Sequence, residues 1–291
     1  MSKTDLIKAK NALTKILAGL VIICLAGFAF WCLDRWIKLE VEQMAEEAAR
    51  NTFTDEYEEW KNNRGNYLPE NAEEIPDGID PSLAAFYASM KDQNEDYIGW
   101  LEIPGTDLST PVVQYIGTNA DYYLTHNFNK EYSNWGCPYA RYPSTLETDN
   151  LFIYGHHIRN GQLFSVLDGY KDQSWKDAHE VILLTTETEV RVYRVFCAFT
   201  MSMNNPPFQW NQFVTYSPTM FDDYIANCNN YNMLTSDLTP SFGTKLLTLV
   251  TCEYSHNNGR LVVIAMQTAS YQTVEDVSKA YGSATVVSED T

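Results

Sequence analysis

Positive charge is scarce in this sequence: 20 lysines and arginines stand against 38 aspartates and glutamates, a formal net charge of -18. Nucleic acid calls for a basic surface to meet its phosphates, so that class of partner is excluded. Histidine is scarcer still. The five are His126, His156, His157, His179 and His256, so few groups are available for proton transfer near neutral pH. Six cysteines are present and none are spaced Cys-x-x-Cys, which argues against a zinc site or a thioredoxin-like redox pair. No internal repeat is evident, and neither a cofactor nor a metal site is expected.

What the chain does have begins with an uncharged run at residues 16–33, bordered by Lys15 and Asp34. About 20 residues of helix cross the hydrocarbon core of a bilayer, so residues 13–33 read as a transmembrane segment. Lys3, Lys8, Lys10 and Lys15 precede it, and the positive-inside bias keeps residues 1–12 in the cytoplasm and the rest of the chain outside. A cleavable signal peptide needs small residues after its apolar core, whereas this run ends in Phe30, Trp31, Cys32 and Leu33, so it reads as a retained signal anchor. The lipid bilayer is thus an expected partner.

Residues 34–80 read as a charged, solvated helical stalk followed by a linker rich in proline, glycine and acids. Residues 81–270 are long enough for one substantial core and are read as a single catalytic domain, with 271–291 as a polar tail. Pro81 opens a helix-period stretch. Short apolar or alternating runs then recur at 99–103, 110–115, 151–154, 180–185, 189–199, 245–252 and 260–267. That spacing predicts a mainly β domain, a closed barrel or a sandwich, with helical pieces at 164–170 and 219–227.

The chemistry concentrates at one predicted hairpin. Leu246-Leu-Thr-Leu-Val-Thr-Cys252 leads through a turn-rich loop to Arg260-Leu-Val-Val-Ile-Ala265. Residues facing each other across a hairpin mouth lie about 5 Å apart at Cβ, which places Cys252 and Arg260 in one small volume. A cation beside a thiol favours the nucleophilic thiolate, and a guanidinium can donate to an oxyanion formed when sulfur attacks a carbonyl. A buried structural cysteine beside a surface arginine is the competing interpretation. Imidazole is offered where an apolar run enters Gly155-His156-His157, a loop well placed to reach a neighbouring strand's end.

These residues carry a family resemblance. Thr248-Leu-Val-Thr-Cys252 resembles the Thr-Leu-x-Thr-Cys signature of sortases, with Arg260 where their essential arginine follows. Tyr154-Gly-His156 with Asn160-Gly-Gln-Leu-Phe164 is similar to the run around the sortase histidine, particularly in class B. Residues 98–108 and 111–114 resemble the first strands of that domain. One position departs from the pattern: Arg141 stands where an acid is expected, in Gly136-Cys-Pro-Tyr-Ala-Arg-Tyr142.

The resemblance implies a closed sortase-type β-barrel with N-terminal helices and an extra helix before the cysteine strand. It implies a cysteine transpeptidase that cleaves a C-terminal sorting motif of a secreted protein after threonine. The acyl group then passes to an amine of a peptidoglycan precursor or of a pilin. His156, preferred over His157 because it directly follows Tyr154-Gly155, is then the general acid and base, Cys252 the nucleophile and Arg260 the oxyanion donor. Thr251, Tyr216 and Asn204 are the candidate substrate-binding residues. A papain-like cell-wall peptidase and a non-enzymatic anchored binding module are the alternatives; in the former the cysteine usually starts a helix upstream of the histidine. The disulfide state of Cys137, Cys197 and Cys228 stays open.

Overall fold

The computed structural model describes residues 3–63, 80–158 and 162–272. Most of the linker, Asn160 and Gly161 of the histidine run, and the tail beyond 272 lie outside the described residues. The chain forms two compact units, Met1–Thr52 and Phe53–Thr291. Helix α1, Lys3–Asn62, contributes to both.

Within the first unit, Leu20, Val21, Ile22 and Ile23 are all exposed, and together they cover every side of the helix. A helix that is apolar all round and uncovered by protein has the composition of a lipid-facing segment. It is long and apolar enough to cross a membrane.

The second unit begins with the last turns of α1, where the structure departs from a solvated stalk. Tyr57 and Trp60 are buried. Tyr57 stacks on Trp100 at 4.5 Å between ring centroids and Trp60 on Phe86 at 4.8 Å, while the Trp60 indole N–H donates to the Ser82 carbonyl at 2.8 Å. Buried aromatic pairs of this kind hold more than their area alone would. Helix α2, Pro81–Gln93, starts on an Asp80 cap that accepts from the Ser82 N–H at 2.9 Å. Its Leu83, Phe86 and Met90 recur at helix spacing and complete this layer against the barrel.

Eight strands close the barrel: β1 Tyr97–Glu102, β2 Ser109–Val113, β3 Tyr139–Ala140, β4 Asn150–Tyr154, β5 Val181–Thr185, β6 Val190–Ser202, β7 Leu246–Glu253 and β8 Gly259–Tyr271. Their order around the wall is β1-β2-β3-β4-β7-β8-β6-β5, with β5 returning to β1. Closure of this kind removes the open edges of a sheet. Seven of the eight strands coincide with the alternating runs of the sequence, within a few residues at their ends. The eighth, β3, has only two residues and no readable period.

Strand alternation decides which side chains face inward. Leu247 and Leu249 of β7 and Leu261, Val263 and Ala265 of β8 fill the interior, with Leu151 and Ile153 of β4. The even-numbered Leu246, Val250, Val262 and Ile264, with Phe152, face outward beneath helix α4, Pro218–Tyr231, the extra helix before the cysteine strand. One end of the interior is plugged by Phe164, Leu167 and Tyr170. They come from a 3₁₀ segment, Phe164–Lys171, followed by the short helix α3, Gln173–Ala178.

Candidate active site

Cys252 and Arg260 are direct cross-strand partners in the β7–β8 ladder. Both are even-numbered, so by strand alternation they sit on the outer face of the barrel, not in its interior. The hairpin closes tightly because Gly259 has no side chain: a Cβ there would lie 2.4 Å from the Glu253 carbonyl oxygen. The Arg260 Nη1 donates to the Gly259 carbonyl at 2.8 Å and to Asn258 Oδ1 at 3.3 Å, so its own loop steadies the guanidinium. Cys252 is half-buried and its thiol is free of any disulfide, as a nucleophile requires.

The histidine loop is fastened to the cysteine strand. β4 runs parallel to β7, with Tyr154 opposite Val250. The ladder continues one residue further, because the Gly155 N–H donates to the Val250 carbonyl at 3.1 Å and the Thr251 hydroxyl donates to the Gly155 carbonyl at 2.9 Å. Glycine is needed at 155, since a Cβ would lie 2.7 Å from the Phe164 ring. His156 therefore leaves its strand beside the end of β7. Its Nε2 lies 2.7 Å from the Leu124 carbonyl; a carbonyl only accepts, so Nε2 carries the proton and Nδ1 is the basic nitrogen.

His157 has different surroundings. Its Nε2–H donates to Asp168 Oδ2 at 2.6 Å, and the Tyr254 ring packs against it edge-on. Its Nδ1 is buried with no partner among the described residues. Among the described hydrogen bonds, neither histidine is joined to Cys252.

Of the three residues read as substrate-binding, Asn204 lies at the Arg260 end. Its side-chain oxygen accepts from the Asn258 amide at 3.2 Å. Thr251 is buried and its hydroxyl is committed to Gly155, so it fixes the strand end. Tyr216 lies elsewhere. It is buried against Phe221 and Tyr224, and its hydroxyl meets Asn150 at 3.3 Å. Asn150 pairs with Leu246 at the opposite end of β7, about 20 Å of strand from Cys252. Periodicity could not show where along the barrel a loop residue would dock.

The misplaced acid at Arg141 is resolved by a different element. Arg141 grips Asp121 through Nε–Oδ1 at 2.7 Å and Nη2–Oδ2 at 3.2 Å, and the Tyr139 hydroxyl donates to the same carboxylate at 2.9 Å. Tyr154 sits near this pair. Burial raises its phenol pKa, while a hydrogen bond from Asn211 and the cations Arg141 and Arg260 oppose the rise. Among the other cysteines, Cys137, Cys197 and Cys228 are buried and unbridged; a hydrogen bond with Cys228, together with burial, raises the Cys197 pKa.

A closed barrel carrying a thiol and a guanidinium in register, with an imidazole at the neighbouring strand exit, is an arrangement suited to cysteine acyl transfer. The sortase domain model matches residues 101–268. Sortase B of Listeria monocytogenes is 30% identical over 177 residues, 58% of this chain and 69% of that protein. A Staphylococcus aureus sortase B–substrate complex matches with a TM-score of 0.66 at 22% identity, covering 78% of this chain and 98% of that one. A sortase B complexed with triglycine matches with a TM-score of 0.65 at 22% identity, covering 78% and 100%. The chain belongs to the sortase family. Within it the similarity is to class B, and the activity is that of a sortase B-type cysteine transpeptidase of the cell wall. With the cysteine on a strand downstream of the histidine, the papain-like alternative falls away, and the family match removes the non-enzymatic one.

Proposed function

We propose that Cys252, His156 and Arg260 carry the transpeptidation, and that the protein acts outside the cell, held to the membrane by residues 13–33. The pairing of Cys252 with Arg260 in register, beside a histidine loop tied to the same strand, is the observation that supports this most directly. The Cys252 sulfur attacks the threonine carbonyl of a sorting motif, and Arg260 donates to the oxyanion. The thiol proton passes to His156 Nδ1 as the sulfur attacks; as the C–N bond breaks, His156 gives that proton to the departing amine, and a thioacyl enzyme forms. An incoming amine then attacks the thioester; His156 takes its proton, and the sulfur leaves.

The acyl donor is a secreted protein with a C-terminal motif of the Asn-Pro-x-Thr-Asn or Asn/Ser-Pro-x-Thr-Gly type. The acceptor is a primary amine of a cell-wall precursor; the triglycine held by a structural relative is the kind of amine this requires. The lysine-rich start of α1, ahead of its apolar run, supports a cytoplasmic N-terminus.

The test is incubation of the full chain in detergent with quenched sorting peptides, with and without triglycine. A motif-dependent ligated product is expected. Hydrolysis of cell-wall peptides regardless of motif, with no ligation, contradicts the proposal. Arg260→Lys keeps the charge but loses the planar fork. Its kcat/KM is expected to fall about 100-fold, the scale of one lost oxyanion donor; near-normal turnover removes Arg260 from the reaction.

A further inference from the structure

Cys252 and Glu253 are neighbours on one strand and therefore point to opposite sides of the barrel wall. The outward one is the thiol. The inward one is a carboxylate whose side chain is 5% exposed, in a place where an uncompensated charge is costly. Three groups compensate it: the Ser255 N–H at 2.9 Å, the Ser255 hydroxyl at 2.6 Å, and the Lys171 ammonium at 3.1 Å. His256 Nδ1 stands 3.4 Å from its second oxygen.

Lys171 comes from the 3₁₀ plug of the barrel and does not stop at Glu253. It also reaches Asp168 Oδ1 at 2.8 Å, and Asp168 Oδ2 accepts the Nε2–H of His157 at 2.6 Å. A continuous path, Glu253–Lys171–Asp168–His157, thus begins one residue after the proposed nucleophile and ends one residue after the proposed acid and base. The charges match this geometry. Burial works against ionised Glu253, but the Ser255 hydrogen bonds and Lys171 hold its pKa down to about 2. Burial likewise opposes the charge on Lys171, whose pKa its two carboxylates nevertheless raise.

We propose that Lys171 is a positioning residue for the transpeptidation, setting the placement of the thiol relative to the imidazole by tying together the backbone that follows each. This rests on the assignment of Cys252 and His156 as the reacting pair. Without Lys171 the buried Glu253 carboxylate loses its lysine partner. The least costly relief is rotation toward water, which moves the end of β7 and Cys252 with it. A displacement of about 1 Å between reacting groups is enough to cost about 100-fold in rate.

The experiment measures kcat and KM for a sorting peptide with triglycine, together with thermal unfolding, on the full chain in detergent. Wild type is compared with Lys171→Met, Lys171→Arg, Glu253→Gln and the Lys171→Met/Glu253→Gln double variant. Lys171→Met is expected to lower kcat by about 10- to 100-fold with KM within about twofold, because placement and not peptide binding is lost. Lys171→Arg restores most of the rate. The double variant is no slower than Lys171→Met alone, since the two changes break one linkage. An active wild type with unchanged kcat in Lys171→Met, or a loss that appears in KM and is not rescued by arginine, overturns this inference alone. A wild type inactive on every sorting peptide overturns the underlying assignment and this inference with it. Should Lys171→Met not fold, Asp168→Asn weakens the same path at its link between Lys171 and His157 and is held to the same kcat and KM outcome.

Discussion

Replacing Cys252 with alanine is expected to reduce transpeptidation to background, a loss of at least about 10⁴-fold, while the protein stays folded. The other thiols of the barrel unit offer no substitute: Cys137, Cys197 and Cys228 are buried in the packed layers around the barrel. Cys252 is only half-buried at a strand end, so losing its sulfur removes little packing. A substitution of this kind lies within about 0.5 kcal/mol, and the unfolding temperature should move by no more than about 2 °C. Comparing peptide ligation with the thermal unfolding of Cys252→Ala measures both. Retained ligation excludes Cys252 as the nucleophile; loss of ligation together with loss of folding shows the side chain to be structural.

His156→Ala is expected to cost about 10²- to 10⁴-fold in kcat/KM, the range of a general acid–base group. His157→Ala should cost about tenfold, the scale of a lost positioning contact and not of a lost proton-transfer group. The distinction rests on what each imidazole touches. The Leu124 carbonyl holds the Nε2 proton of His156 and leaves Nδ1 basic, whereas His157 is spent on Asp168 and Tyr254. The kcat/KM of the two variants decides between them: the larger loss falls on His156→Ala and the smaller on His157→Ala. The reverse pattern transfers the role to His157.

The parts of this protein that follow a short period were readable from its sequence. Two apolar runs joined by a turn-rich loop marked the hairpin, and residues on either side of its mouth face each other, which placed Cys252 opposite Arg260. Helix α4 was visible as a helical piece at 219–227, and the structure extends it to Pro218–Tyr231 behind a Ser217 cap.

Three features were not read, for different physical reasons. The last turns of α1 carry Phe53, Tyr57 and Trp60 at spacings of four and three, a buried stripe obscured by the acidic residues around it. That signal was present. Strand β3 pairs through only two residues, too few to show alternation. The bond between Lys171 and Glu253 joins positions 82 residues apart, and nothing local in the chain brings a 3₁₀ plug and a strand end together. Tyr216 illustrates the same limit: its residue type suited a substrate groove, but packing carried it to the far end of the barrel.

The mass of the full chain after incubation with a sorting peptide, with the amine acceptor withheld, tests the central claim most directly. An added mass equal to the motif fragment ending in threonine is expected, located on the peptide that contains Cys252 and released when triglycine is supplied. An adduct mapped to any other residue, or one at Cys252 that triglycine fails to release, contradicts that claim.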